Sequence, residues 1–297
     1  QGTKCGDSFM TIGMNNLGTN GRLGNQMFQY AALVGIAKQG GFDFRIPDHS
    51  NATYFDRKSG PNIITEYHQL QHCFEMLHCG DRYGLIDGDE VDLHESHEFC
   101  EELFNECPNH VSLNGYFQTE KYFKNAEKLI RLDFRFKKHI IKEVESHFKQ
   151  YLDQKPVCIL VRDFNPEFDY PNCENNHINV SLDFYEKAIE SIGKDRTYIV
   201  CSNSIDLCKK QKLFQGDNFI FNEVIPEGIY KGHFDLCLMS MCQDFIVSNS
   251  TFGWWGAWLG TGEGKRVILP SPWYGPGLSH ISVDDLYPDE WEKIEWK

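Results

Sequence analysis

Phe245-Ile-Val-Ser-Asn-Ser-Thr-Phe-Gly-Trp-Trp-Gly-Ala-Trp-Leu259 decides how this chain reads. The apolar run that begins at Phe245 predicts a strand. Ser248 to Thr251 form a turn of small polar residues, and a helix follows over Thr251–Leu259. The first N–H groups of a helix have no intrahelical partner, and its dipole favours negative charge there. A strand that enters a helix through hydroxyl and amide side chains therefore makes an anion seat. Ser248, Asn249, Ser250, Thr251 and Phe252 compose that seat. The bare pattern also fits a plain capped helix in an α/β fold. Trp254, Trp255 and Trp258 recur at helical spacing, which reads as core rather than as a ligand-binding face.

Upstream of this segment, strands alternate with helices of about ten residues. The strands are Val157–Arg162, Thr197–Ser202, Asn218–Asn222, Phe245–Asn249 and Arg266–Leu269. The helices are Leu182–Ile192, Ile205–Phe214, Gly232–Gln243 and Thr251–Leu259. Such alternation implies a parallel sheet covered by helices on both faces. Ligands bind beyond the carboxyl ends of such strands. Arg162 and Ser248–Thr251 fall at those ends, which puts a cation and an anion seat on one rim, as a phosphate site requires.

Residues 9–46 read as a further strand–helix–strand unit: Phe9–Met14, a glycine-rich turn over Gly18–Gly24, an amphipathic helix from Asn25 to Lys38, a stop at Gly40-Gly41, and Phe42–Ile46. The glycine spacing is not that of a dinucleotide site, and no acidic residue stands where it would read a ribose. A nicotinamide enzyme is therefore disfavoured. Residues 48–113 are acidic, rich in His and Cys, and weakly periodic, and read as loops and short elements. Helical spacing returns over roughly 124–152.

The chain has 297 residues, enough for two domains, with 41% hydrophobic and 24% charged residues. A net charge of −14 argues against nucleic acid as a partner. No apolar run reaches membrane-spanning length. The chain starts at Gln1 without a signal peptide or initiator Met, which suggests that a targeting segment has been trimmed away. The 11 cysteines include no Cys-x-x-Cys pair, against zinc. Cys5, Cys73, Cys79, Cys100, Cys107 and Cys173 cluster early or in loops, which suggests disulfides and an oxidising compartment. Cys158 and Cys201 lie in strands and read as buried thiols. Glycosylation sequons begin at Asn51, Asn179 and Asn249. The first two are candidate glycan sites, and the third lies in the anion seat.

Several segments, in order, resemble the α-1,2-fucosyltransferases of glycosyltransferase family 11. They are Gly21-Arg-Leu-Gly-Asn-Gln-Met-Phe-Gln-Tyr-Ala31, Gly115-Tyr-Phe-Gln-x-x-Lys-Tyr-Phe123, His177 with Tyr185-x-Lys-Ala-Ile189, Asp235-Leu-x-Leu-Met-Ser-x-Cys242, the Ser248–Leu259 block, and Pro270 with Trp273-Tyr274. The resemblance spans residues 10–275. It implies a GT-B fold, two Rossmann-like domains with a donor and acceptor cleft between them. It implies GDP-fucose as donor, inversion at the anomeric carbon, no metal or other cofactor, and a glycan ending in β-galactose as acceptor. It also implies a Golgi type II membrane protein of the secretory pathway whose N-terminal anchor is absent from this chain. The domains would be 1–153, with a disulfide-rich insert, then 154–275, which holds the GDP-sugar, and a 276–297 extension packing back on the first.

Two motifs depart from the family pattern. Where the family has His-x-Arg-Arg-x-Asp, this chain has Leu160-Val-Arg-Asp-Phe-Asn165, and Arg162 fits the first arginine. Either Leu160 and Asp163 replace the histidine and the second arginine, or two residues are deleted and Asp163-Phe164 stand for the family's Asp and its successor. One cation is lost in both cases. Where it has Ser-Asp-Asp, this chain has Ser202-Asn-Ser204.

Fucosyl transfer needs the departing diphosphate stabilised and the acceptor hydroxyl deprotonated. Arg162 is the candidate for the diphosphate; its plainer alternative is an ion pair with Asp163 or Glu167. Gly24, Asn25 and Gln26 open the first helix. The resemblance places Asn25 beside the reacting centre, and the plainer reading makes it an N-cap. Gly24, Gln26, His177 and Asp244 join the donor set by resemblance, with Asp244 receiving hydrogens from guanine. No motif selects a general base among Asp7, Asp43 and Glu120, and the resemblance allows the leaving phosphate to take the proton. Two rival readings remain. One is a metal-dependent GT-A transferase using Asp87-Gly-Asp89. The other is a family member that binds nucleotide or glycan without transfer. His94 and His97 read as an exposed loop rather than a metal site.

Overall fold

The computed structural model describes residues 10–52, 67–93, 98–167 and 169–296. These residues form two α/β units, one running to Arg135 with Val283–Leu286 added, the other comprising Phe136–Ser282 and the chain from Tyr287. Among the described residues no helix is long and apolar enough to cross a membrane.

The first unit runs β1 (Thr11–Gly13), α1 (Leu23–Gly40), β2 (Asp43–Arg45), α2 (Leu70–Cys73), β3 (Asp89–Leu93), α3 (Glu101–Glu106), β4 (Val111–Gly115) and α4 (Glu127–Asp133). Its four strands are all parallel, in the order β2-β1-β4-β3. The chain leaves β1 toward β2 and later returns to β1's other side as β4. The boundary between β1 and β4 is therefore the topological switch point, where loops diverge and leave a crevice at the carboxyl ends.

Helix α1 differs from the amphipathic helix expected. It is buried without interruption from Gln26 to Ala37. The sheet, α3 and the 120–126 segment surround it, so every face is apolar and the sequence carries no stripe. Gly41, left-handed at φ 69°, ends it and returns its N–H to Ala37 O. Gly35 is obligatory for packing: a Cβ there would lie 1.8 Å from Tyr122 O.

Residues 67–115 hold two strands that periodicity did not show. β3 is a sheet-edge strand whose polar residues face solvent, so no alternation of apolar residues marks it. The disulfide framework expected here is not present among the described residues. All ten described cysteines are free thiols, and Cys73, Cys79, Cys107 and Cys173 are buried. They fill apolar space as small hydrophobes do, and burial pushes the Cys79 and Cys107 thiols up to about 11. Cys5, His94 and His97 lie outside the described residues. Asp87 and Asp89 are exposed at the amino end of β3, on the sheet edge opposite the carboxyl ends. Among the described residues no group of three or more His, Cys, Asp or Glu is placed to hold a metal.

The second unit runs α5 (Lys138–Leu152), β5 (Val157–Val161), α6 (Cys173–Asn176), α7 (Leu182–Ile192), β6 (Tyr198–Ser202), α8 (Ile205–Lys209), β7 (Phe219–Phe221), α9 (Lys231–Ser240), β8 (Asp244–Val247), α10 (Thr251–Leu259), β9 (Val267–Ser271) and β10 (Glu292–Glu295). The six strands are parallel, in the order β10-β9-β8-β5-β6-β7. Val157–Leu160 and Tyr198–Cys201 are buried, as strands covered on both faces must be. α5 belongs to this unit, which begins at Phe136 rather than at 154. The chain's end is the edge strand β10 beside β9, while Asp285, within the 283–286 piece counted with the first unit, accepts the Phe99 N–H at 2.8 Å. Trp254 and Trp255 are fully buried and Trp258 nearly so, all in core. Lys265 closes α10, its ammonium donating to Ala257 O and Gly260 O, both at 2.7 Å.

Gly35→Ala should destabilise the first unit by ~3 kcal/mol or more, because a backbone carbonyl cannot yield to the new methyl. Urea unfolding checks this. A neutral Gly35→Ala would contradict the packing of α1 against Tyr122.

Candidate functional site

In the second unit the chain passes from β5 outward to β6 and β7, then returns beside β5 as β8. The switch point lies between β5 and β8, and both candidate segments stand at its carboxyl side. The ladder runs on past the strand ends: Ser248 N–H donates to Leu160 O, and Arg162 N–H to Ser248 Oγ, each at 3.2 Å. Arg162 and the Ser248–Thr251 turn are thus direct neighbours. Ser250 is the N-cap of α10 and makes no side-chain cap bond, with Thr251 and Phe252 in the first turn. Asn249 is buried; its Nδ2 donates to Ile178 O and Trp273 O, both at 2.9 Å. Its Oδ1 has no hydrogen-bond partner among the described residues. A buried, engaged amide of this kind cannot carry a glycan.

The Arg162 guanidinium is already held. It pairs with Asp169, donates to Asp163 O, and lies 4.5 Å over the Phe164 ring. The pair is not with Asp163 or Glu167, the partners considered from sequence. Asp169 is only 7% exposed, so its carboxylate needs that cation. Phe164 stacks on His177 at 4.9 Å and 16°, and Tyr274 meets His177 at 5.5 Å. Burial first, then the Arg162 charge, push His177 down to about 4 against the pull of Asp169. The imidazole is therefore neutral at physiological pH.

Asp244 does not join this group. It opens β8, so it lies at the other end of the strand, where it pairs with Arg196 at 3.0 Å and accepts the Arg266 N–H at 2.7 Å. The sequence reading missed this because Asp244 and Ser248 are close in sequence, yet an extended strand separates them by ~13 Å. Asn179, read as a glycan site, is exposed, but its amide grips the backbone of Phe164 from both sides, Oδ1 accepting at 2.7 Å and Nδ2 donating at 3.2 Å. Asn51 is exposed, and its sequon runs into undescribed residues.

In the first unit the corresponding switch point gathers the two N-terminal motifs. Gln118 Nε2 donates to Asn25 Oδ1 at 3.1 Å, Gln29 Nε2 to Gly115 O at 3.1 Å, and Asn20 Nδ2 to Asn114 Oδ1 at 2.8 Å. Arg22, not Asn25, is the N-cap of α1, so Asn25 sits in the first turn, half-exposed. Gln26 is wholly buried: it accepts the Gln69 N–H at 2.8 Å and donates to Gly21 O at 3.1 Å. Gln26 thus shapes the glycine turn from inside, and Gly24 is buried beside it. Of the base candidates, Asp43 is tied to Arg82 and Arg45; burial raises its pKa, but those contacts outweigh it and hold it low. Glu120 pairs with Lys124 at 3.2 Å, and Asp7 lies outside the described residues.

The family model for glycosyl transferase family 11 matches residues 7–295. The chain belongs to glycosyltransferase family 11. It is 25% identical to the O-antigen biosynthesis glycosyltransferase WbnK of Escherichia coli, over 89% of this chain and 97% of that one. It is 24% identical to an alpha-1,2-colitosyltransferase of Escherichia coli, over 93% and 97%. It is 23% identical to galactoside alpha-(1,2)-fucosyltransferase 2 of Sus scrofa, over 95% and 80%. Its fold is similar to NodZ alpha-1,6-fucosyltransferase soaked with GDP-fucose, with TM-score 0.52, 12% identity, and 89% and 96% coverage. It is also similar to a mutant of Arabidopsis thaliana FUT1 in complex with GDP, with TM-score 0.50, 12% identity, and 92% and 74% coverage. The architecture is GT-B, built from two Rossmann-like α/β units.

In this family 11 chain the structure adds Asp169, which the sequence left silent, and gives places to Phe164 and Tyr274, which the quoted motifs held without a role. Asp169, Phe164 and Tyr274 build the rim around Arg162 and His177. Asp169 lies seven residues beyond Arg162 in an irregular loop, so no spacing rule pointed to it. Gln118 was inside a quoted motif, but only the fold brings it to Asn25.

Two outcomes test the rim. Arg162→Ala strands a buried carboxylate and should destabilise the second unit by ~3–5 kcal/mol, whereas Arg162→Gln with Asp169→Asn should restore most of that. Equal stability of Arg162→Ala and wild type in urea would contradict the pair. Second, the unfolded chain binds a proton at His177 near pH 6.5, while the native imidazole refuses it until about 4. Stability should therefore fall as pH drops through that window, and His177→Phe should remove that component. A pH profile unaltered by His177→Phe would count against the half-buried neutral imidazole.

Proposed function

We propose that this family 11 protein transfers fucose from GDP-fucose to the 2-hydroxyl of a terminal galactose, with inversion. The observation that carries the proposal is the adjacency of Arg162 and the α10 N-terminus at the β5–β8 switch point. The reaction develops negative charge on the β-phosphate as the sugar–oxygen bond breaks. Backbone N–H groups at a helix start and one guanidinium on a strand end oppose that charge from fixed positions. The names of two relatives share an α-1,2 linkage while differing in the sugar moved, which supports the linkage more firmly than the sugar. Asn25, held by Gln118 at the other unit's switch point, is the residue we assign to orienting reacting oxygens.

A second reading rests on a specific observation. Arg162 is already paired with the buried Asp169, and the next residue, Asp163, is a carboxylate where a second cation would stand. A diphosphate would meet a rim weaker in positive charge than a paired-arginine rim. Such a protein would bind nucleotide or glycan without transferring.

The test is transfer itself. Purified protein, GDP-fucose or GDP-colitose, and a β-galactoside acceptor should yield an α-1,2-linked product, identified by NMR. Activity should survive EDTA, and Asn25→Ala should lower kcat by ~tenfold or more with GDP affinity unchanged. GDP binding with no product from any donor would favour the second reading, and activity lost to EDTA would favour the metal-dependent alternative.

A further inference from the structure

The loop after β5 behaves as a continuation of the sheet whose partners are side chains. Asn203 clasps the backbone of Asp163: its Oδ1 accepts the Asp163 N–H at 2.9 Å and its Nδ2 donates to Asp163 O at 2.8 Å. Asn179 does the same for Phe164, at 2.7 and 3.2 Å. The Asp163 carboxylate then joins the two clasps. One oxygen accepts Ser204 Oγ at 2.6 Å and the other accepts Asn179 Nδ2 at 3.2 Å. Ser204 is fixed in turn, its N–H donating to Ser202 Oγ at 2.9 Å at the end of β6. Three separate segments, after β5, after β6 and before α7, therefore meet at one side chain.

The next residue on each side of Asp163 belongs to the rim. Arg162 precedes it and Phe164 follows, the guanidinium lying on one face of the ring and His177 stacking against it. An amide can copy a strand's hydrogen-bonding edge, but it does not hold itself in place; it must be oriented by something else. Asp163 supplies that for Asn179. Among the described residues its charge has no cationic partner within ion-pair distance, Arg162 pairing with Asp169, so its part in the loop is geometric.

We propose that Asp163 is a positioning residue of the donor rim: by latching Ser204 and Asn179 it sets Arg162 and Phe164 against His177 before any donor arrives. The proposal deepens the donor reading of this rim and rests on it for its functional consequence. It also joins the two stretches that depart from the family pattern, 160–165 and 202–204, into one hydrogen-bonded unit.

Asp163→Ala, Asp163→Asn and Ser204→Ala test it, with two readouts on the full chain. The first needs no ligand: the His177 imidazole followed by NMR from pH 3.5 to 8. The charged groups that act on it are Arg162 and Asp169, which none of these variants removes. In Asp163→Ala the ring loses its cover and its titration should rise by roughly one unit from about 4 toward 6.5. Ser204→Ala should move it the same way by less. The second readout is GDP titration calorimetry with donor and acceptor kinetics. Asp163→Ala should weaken GDP and raise donor KM by ~tenfold, leave acceptor KM unchanged, and be largely rescued by Asp163→Asn, which keeps the shape and an accepting oxygen. An unmoved His177 titration in Asp163→Ala and Ser204→Ala overturns the latch. Should Asp163→Ala fail to fold, Ser204→Ala, which removes one hydroxyl, decides the question alone. Wild-type protein that binds no GDP refutes the donor reading instead, and the His177 titration still judges the latch.

Discussion

Two parallel strands, β5 and β8, lie side by side although the chain between them forms β6 and β7, and the rest of the second unit follows from that return. The register pairs Leu160 with Val247, so the residues just beyond must also be neighbours. The Arg162 N–H then reaches Ser248 Oγ, and α10 must start where β5 stops. A cation, a hydroxyl and a helix N-terminus are thereby brought together by topology alone. The first unit repeats the logic on a smaller sheet: β4 returns beside β1, α1 meets the Gly115–Phe123 motif through Gln29 and Asn25, and Asn20 of the glycine turn bonds to Asn114 just before it. Both resembling motifs of that unit and both candidate segments of the other stand at switch points.

Charge at the second rim is kept in balance by geometry. Arg162 answers the buried Asp169 and also covers Phe164, so its guanidinium is placed by packing as much as by pairing. Planar, delocalised guanidinium suits both contacts in a way that an ammonium would not. His177 stays neutral beneath Phe164 because burial and the same guanidinium oppose its proton. An anion entering here would compete with Asp169 for Arg162, and the α10 N–H groups would share the load.

Much of the second unit was legible because its strands are buried on both faces and read as unbroken apolar runs bounded by polar turns. Leu182–Ile192 and Thr251–Leu259 match the helices observed to the residue. The first unit was harder. α1 is enclosed on every side and so shows no stripe, and the edge strand β3 shows no alternation. Cysteine positions suggested staples, yet Cys73, Cys79, Cys107 and Cys173 are buried free thiols that fill apolar space. The adjacency of Arg162 and Ser248 could be read because strand ends are legible in sequence. Asp169 and the Asn179 and Asn203 clasps could not, because irregular loops obey no period. Asp244 was misplaced for the opposite reason: sequence neighbours along a strand are far apart in space.

Amide hydrogen exchange with and without GDP locates the diphosphate most directly. The account predicts slower exchange over 162–164 and 248–254, at the carboxyl ends of β5 and β8, with no change around Arg196, Asp244 and Arg266 at the amino ends. Protection confined to the amino ends, or absent from both the Arg162 and the Ser248 segments while GDP is bound, would contradict it.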